Sequence, residues 1–250
     1  MMEKIQTGIK HPDRIPPYLM RQLDRGIVTL GNYIGDNTKD LEINRYSATF
    51  MTDTVANIRY IRRFPEQDVL SDFLPRLSPE DVLWDVGANV GLYSCFAGNL
   101  GVEVISFEPD NLTRSSLEDN IHLNDINATV LPYGLDDKSR EIQRELNMQR
   151  ENKPTTVETY SGDQILDSKD IDIQSPTVIK IDIEGMEFSA LRGLEKALEE
   201  VRLMFVEIHP EYLLERGESA EDIRQWIYER GFKIDSINDE SHNPIICCEK

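Results

Sequence analysis

No apolar run in the 250-residue sequence approaches the roughly 18 residues needed to cross a bilayer. The opening Met1-Met2-Glu3-Lys4 lacks the apolar segment of a secretory signal, so the expected location is the cytoplasm. Cysteine is scarce. Cys95, Cys247 and Cys248 have neither paired spacing nor nearby histidines, and adjacent cysteines rarely bridge each other, so all three are expected to be reduced and structural. Positive charge is also short: 27 Lys and Arg stand against 46 Asp and Glu, for a formal net charge of -19. Such a field repels nucleic acids and anionic membranes, and an excess of solvated carboxylates is also what a high-salt cytoplasm favours. Internal repeats are absent. What is present, 39% hydrophobic residues, is enough core for one domain with an N-terminal extension or for two small domains.

Strand and helix patterns alternate along most of the chain. Residues 1–65 read as an extension: a helix started by Ile15-Pro16-Pro17 and stopped at Gly26, then one or two strands over Leu41–Thr54, then an ambiguous Val55–Phe64. From Glu66 a helical pattern runs to Leu77, followed by strands at Val82–Val86, Val102–Phe107, Thr129–Tyr133, Thr177–Ile183 and Arg202–Ile208. Helices are expected over Asn111–Leu123, from Glu184-Gly185 to Glu199, and over Ala220–Arg230. A polar insertion over about 136–172 contains a charged stretch, Glu141–Arg150, and a strand-like Thr155–Tyr160, expected as a hairpin over the site. Two last strands, Phe232–Ile237 and Pro244–Cys248, flank a turn at Asn238-Asp239. The expectation is an α/β domain over 66–250, with a mostly parallel sheet covered on both faces and an antiparallel closing pair.

The chain is organised around Val82-Leu83-Trp84-Asp85-Val86-Gly87-Ala88-Asn89-Val90-Gly91-Leu92-Tyr93, where a buried strand meets two glycines and turns into a helix. Gly87 and Gly91 let the backbone approach a ligand, and the following helix N-terminus favours an anionic group such as a carboxylate. Glu108, ending the next strand, is placed to accept hydrogen bonds from the two hydroxyls of an adenosine ribose. A nicotinamide loop reads G-x-G-x-x-G; here Asn89 replaces the second glycine and Leu92 the third, which removes the pyrophosphate site. Asp85 would repel a diphosphate but attract the ammonium and sulfonium of S-adenosylmethionine. The alternative is that Asp85 caps the turn while the glycines ease packing.

The fourth and fifth strands end in charge. Lys180, Asp182 and Glu184 share one strand face, opposite Ile179, Ile181 and Ile183, and Glu207 and His209 repeat the pattern opposite Val206 and Ile208. Burying such charges costs several kcal/mol each unless they pair, so one polar cluster is expected at the carboxyl edge of the sheet, lining an acceptor pocket. His209, Glu184 and Glu207 are the candidate bases for removing a hydroxyl proton, and Asp182 is a candidate support for the methionine end of the cofactor. These donors could also bind a divalent ion, but no metal is assigned. The structural alternative is that Lys180 neutralises Asp182 while Glu184 and Glu187 favour a helix N-terminus.

Four segments in order, Trp84–Gly91, Phe107-Glu108-Pro109, Ile179–Glu187 and Val206–His209, resemble the FkbM family of S-adenosylmethionine-dependent methyltransferases over about residues 66–237. The resemblance implies a Rossmann-like class I methyltransferase fold with seven strands. It implies methyl transfer, in characterised members to a hydroxyl of a sugar or polyketide-like molecule, with S-adenosylhomocysteine as product. Carried over, Asp85, Gly87, Asn89 and Gly91 hold the methionine part, Glu108 the ribose and Asp136 the adenine amino group. The expected partner is a small-molecule acceptor such as a sugar or metabolite, not a nucleic acid. Two other classes remain in view: a nicotinamide oxidoreductase, which the loop disfavours, and a non-catalytic binding domain, which would be expected to lose the loop or Glu108.

Overall fold

Strand β3 (Val82–Val86), buried at all five positions, is the axis of the domain. The computed structural model describes residues 17–34, 37–64, 66–144, 155–237 and 242–250. The chain divides into two compact units, one of residues 1–39 and 50–65, the other of residues 40–49 and 66–250.

In the smaller unit, helix α1 (Pro17–Ile34) runs past Gly26 instead of stopping there. A single mid-helix glycine costs only about 1 kcal/mol, which the amphipathic face on either side offsets. Ile15 and Pro16 lie outside the described residues. Helix α2 (Val55–Arg63) resolves the ambiguous stretch; the Thr54 hydroxyl caps it by accepting from the Asn57 N–H. Buried Asp24 accepts from Arg59 at 2.9 Å and Arg62 at 2.6 Å. Between these helices in sequence, β1 (Thr38–Ile43) and β2 (Tyr46–Met51) form a two-stranded sheet, turned by Asn44 at φ 55°.

Apart from residues 40–49, which carry most of β1 and β2, the larger unit starts with α3 (Gln67–Phe73), which a short 3-10 turn at Leu74–Arg76 ends. After β3 come α4 (Leu92–Gly98), β4 (Glu103–Phe107), α5 (Asn111–Leu123) and β5 (Ala128–Leu131). The insertion contributes β6 (Gly134–Leu135), β7 (Arg140–Arg144) and β8 (Thr155–Tyr160), a small sheet in the order β6-β8-β7 with β7 and β8 antiparallel. Residues 145–154, part of the expected hairpin, lie outside the described residues. Helix α6 (Gly162–Leu166) follows, begun by a capping box between Ser161 and Gln164. Then come β9 (Val178–Ile181), α7 (Glu187–Arg192), β10 (Leu203–Glu207), α8 (Pro210–Glu215), α9 (Ala220–Glu229), β11 (Lys233–Ser236) and β12 (Ile245–Glu249). Asn238 and Asp239, the expected turn, are not described.

The main sheet has seven strands in the order β11-β12-β10-β9-β3-β4-β5. The five central and flanking strands β10, β9, β3, β4 and β5 pair parallel, while β12 runs antiparallel to both β10 and β11. One face carries Trp84, Phe107, Ile179, Ile181, Met204 and Val206, packed under Leu191, Leu194, Ile223 and Ile227 of the helical side. On the other face, the Phe73 ring meets Tyr93 and Phe205 edge-on, at centroid distances of 5.2 and 5.0 Å. Each such fully buried apolar side chain contributes about 1.5–3 kcal/mol. The register aligns the strand ends, with Val86 opposite Phe107 and Ile181, so Gly87, Glu108 and Asp182 emerge together at the carboxyl edge. No described helix is long and apolar enough to cross a membrane.

Candidate active site

A cleft of about 910 Å³ opens at that edge, lined by Gly87 and Asn89, by Glu108 and Thr113, by Leu135, Ile142 and Val157 of the insertion, and by Asp182, Glu184 and Met186. Gly87, at φ +80°, is required by close approach: a Cβ there would lie 2.0 Å from the Asp182 carbonyl oxygen. Asn89 also adopts positive φ, 52°, and its side-chain oxygen is buried without a hydrogen-bond partner among the described residues. Glu108 stands opposite. One of its carboxylate oxygens accepts from the Asn89 N–H at 3.0 Å, the other from the Asp110 N–H at 2.8 Å. Burial pushes its carboxyl up to about 7 despite those bonds. Each oxygen keeps a lone pair for a further donor.

Asp85, Gly91 and Asp136 do not line the cleft. Asp85 is buried inside β3 and accepts from the Ser94 N–H at 3.1 Å and from the Ser94 hydroxyl, capping α4 from the neighbouring strand. Burial raises its carboxyl to about 6. Both bonds fall on one oxygen, Oδ2, which is the contact the capping alternative describes. Gly91 is the αL residue before α4, packed so that an added Cβ would lie 2.5 Å from Leu117. Asp136 is fully buried, accepting two bonds of 2.6 Å from Arg140 and one of 3.2 Å from the Thr159 hydroxyl. Burial opposes its ionisation, but Arg140 outweighs that and holds the carboxyl below its usual range.

The charged row does come together. Lys180 Nζ lies 3.5 Å from Asp182 Oδ2, and His209 Nε2 lies 3.7 Å from Asp182 Oδ1 and 3.9 Å from Glu207 Oε1. Asp182 borders the cleft; His209 and Glu207 stand behind it. Glu184, at φ 50°, lines the cleft. Three partners were not recognised in the sequence. Glu66 approaches Lys180 at 4.0 Å, the Tyr93 ring lies 4.7 Å below the same ammonium, and fully buried Glu187 bonds His209 Nδ1 at 2.9 Å. Glu187 Oε1 already accepts from the Gly185 N–H at 2.9 Å, so Nδ1 is the donor and the neutral ring presents the Nε2 lone pair toward Asp182 and Glu207. Burial alone would lower the His209 pKa; Glu187, Asp182 and Glu207 together hold it above its ordinary value. Burial, reinforced by Asp182, pushes Glu207 upward. The oxygens of Asp182 and Glu207 and one nitrogen of His209 all lie within 4.8 Å of one another, a spacing that a divalent ion could also use.

A strand-loop-helix cradle, an acid ending the second strand and a seven-stranded sheet with an antiparallel closing pair define a class I methyltransferase. The chain belongs to the methyltransferase FkbM domain family, whose model matches residues 85–234. It is 34% identical over 177 residues, 67% of this chain and 73% of the relative, to the hexuronic acid methyltransferase AglP of Haloferax volcanii. It is also 24% identical over 206 residues to the AMB antimetabolite synthetase AmbE of Pseudomonas aeruginosa, of which it spans 10%. A crystal structure of a methyltransferase FkbM from Methylobacillus flagellatus KT superposes with a TM-score of 0.53 at 21% identity. That superposition covers 70% of this chain and 44% of the other.

Proposed function

We propose that the protein transfers a methyl group from S-adenosylmethionine to a hydroxyl of a sugar, with a hexuronic acid as the acceptor class suggested by the Haloferax relative. The observation that carries this reading is the cleft in which Gly87, Asn89, Glu108 and Asp182 converge at one sheet edge. The residues fit the cofactor in three respects. The bare backbone at Gly87 leaves room that a Cβ would fill; the unpartnered Asn89 oxygen can accept from an ammonium; Glu108 offers two acceptor oxygens to a ribose diol. The negative surplus around Lys180 favours a cationic ligand, the charge type of a sulfonium. The bound cofactor supplies an electrophilic methyl group.

The chain's own residues then orient the acceptor and take its proton. Asp182, bordering the cleft, positions the hydroxyl, and His209 receives the proton on Nε2 directly or through one water, while Glu187 fixes the ring and stabilises the imidazolium. Glu207 adds negative charge on the same side. Calorimetry with S-adenosylmethionine, S-adenosylhomocysteine and NAD tests the cofactor: tight NAD binding without S-adenosylmethionine binding refutes the reading. Transfer of labelled methyl to uronic-acid glycosides tests the acceptor. An alkali-stable methyl ether is expected; an alkali-labile methyl ester would place the methyl on the carboxylate and remove the need for His209 as base.

A further inference from the structure

Beside the cofactor cleft lies a second cavity, about 720 Å³, formed by β7, the turn into α7, and α8. We propose that it is the acceptor subsite, in which Tyr212 underlies the sugar ring and Arg216 binds the sugar's carboxylate. The proposal rests on the methyltransferase reading and adds the place and the charge of the acceptor.

Position comes first. Ile142, Glu184 and Met186 line both cavities, so a ring held in the second presents its edge to the mouth of the first. Tyr212 joins this cavity to the charged cluster, its ring centroid 6.1 Å from that of His209. Its backbone is fixed by Gly185, where an added Cβ would lie 2.3 Å from Tyr212 Cβ. The residue nevertheless stays 46% exposed and lines the cavity, so it is open to a ligand there. A sugar offers an apolar C–H face to such a ring and hydroxyl donors around its rim, which Glu184 and Glu215 of the cavity wall can accept.

Charge comes second. The two arginines on the wall are held differently. Arg140 is spent on Asp136 through two bonds of 2.6 Å. Arg216 reaches Ser189 Oγ only at 3.5 Å and Glu218 Oε2 only at 3.8 Å, while Arg192 takes the other oxygen of Glu218 at 2.7 Å. A committed guanidinium–carboxylate bond is about 2.7–2.9 Å, so most of the five N–H donors of Arg216 remain for a ligand. In a chain of net charge -19, a loosely held guanidinium beside the reacting edge selects an anionic acceptor over its neutral counterpart.

The test titrates the full chain, saturated with S-adenosylhomocysteine, with methyl glucuronoside and with methyl glucoside, followed by NMR. The wild type should bind the glucuronoside more tightly. Arg216→Gln should weaken the glucuronoside about tenfold or more and leave the glucoside within twofold, while Tyr212→Ser weakens both. Unchanged affinity for S-adenosylhomocysteine in each variant shows that the fold and the cofactor site persist. Equal binding of the two probes, binding of neither, or a preference that survives in Arg216→Gln overturns the proposal. Failure of S-adenosylhomocysteine to bind would refute the cofactor reading instead, and the same titration without it would still decide the subsite.

Discussion

Glu108 should make cofactor affinity depend on pH. Its carboxyl is raised from 4.5 to about 7, mainly by burial, so the cofactor-free fold favours the neutral form. The shift corresponds to roughly 3 kcal/mol of stability, fully present below about pH 4.5 and lost as pH rises through about 7. A ribose diol donates to the ionised form, so binding draws the group back to carboxylate and releases a proton. At pH 5.5 only about 3% is ionised, which sets an upper limit of roughly 30-fold weaker binding than above pH 7. A neutral carboxyl still hydrogen-bonds at about half the strength, which puts the expected loss between about 5- and 30-fold. Calorimetry with S-adenosylhomocysteine from pH 5.5 to 7.5, below the titration of the ligand's own amine, measures it. Glu108→Gln should bind about tenfold more weakly at pH 7.5 and lose most of the pH slope, while Asp85 and Glu207 still titrate in both proteins. A flat wild-type profile, or an unchanged slope in the variant, would refute the assignment of Glu108 to the ribose.

His209→Asn should lower kcat by about 10²-fold or more with the cofactor Kd unchanged, as single-turnover kinetics and calorimetry would show; equal losses in both would make the residue structural. In the wild type, kcat should rise with pH through the elevated His209 pKa, because only the neutral ring accepts a proton. Gly87→Ala combines φ +80° with a Cβ 2.0 Å from the Asp182 carbonyl, so urea unfolding should register a loss of about 2–4 kcal/mol. Cys95, Cys247 and Cys248 are buried with thiols pushed up by burial, so a thiol reagent should label none of them in the native protein and all three in urea. Labelling of native Cys247 would show an opening that the sheet edge does not contain.

The elements legible in the sequence are those where local signals agree with tertiary packing. Val82–Val86 is apolar on both faces apart from one acid, and Asn111–Leu123 follows an aspartate whose carboxylate caps it, accepting from the Thr113 N–H at 2.8 Å. The charged ends of β9 and β10 were readable because strand parity is strict and the two strands are neighbours. Direction was harder. Asp85 shares the motif with Gly87 but points to the face covered by α4, where the register sets it beside Ser106 and Lys180. Glu187 looked like an ordinary acid at a helix start, and only the packing of α7 against the end of β10 places it under His209. Helices α6 and α8 were missed because they are five and six residues long, too short for periodicity to register. Their capping signals, Ser161 with Gln164 and Pro210 at the first turn, were present.

The two edges of the main sheet treat buried carboxylates in opposite ways. At the amino edge Asp81 accepts from Ser78, Thr177 and Arg202, and although burial opposes it, these partners hold its carboxyl below the usual range. At the carboxyl edge Asp85, Glu108 and Glu207 are all pushed up, and Lys180, itself raised, is shared among Asp182, Glu66, Glu207 and Asp85. Burial is common to both edges, so the difference lies in the supply of positive charge, and the carboxyl edge is left short of it. Such a deficit costs stability in the free protein and favours a cationic ligand. S-adenosylmethionine carries a sulfonium where S-adenosylhomocysteine has a neutral sulfur, so the preference for the former should grow as Glu207 ionises. Between pH 6 and 8 the ratio of the two dissociation constants should shift by roughly 3- to 10-fold, on the order of 1 kcal/mol for one added charge at an effective dielectric near 20. Glu207→Gln should reduce that shift without changing affinity for S-adenosylhomocysteine, the remainder coming from loss of the His209 positive charge beside it, and a ratio independent of pH would show that this cluster does not face the sulfonium.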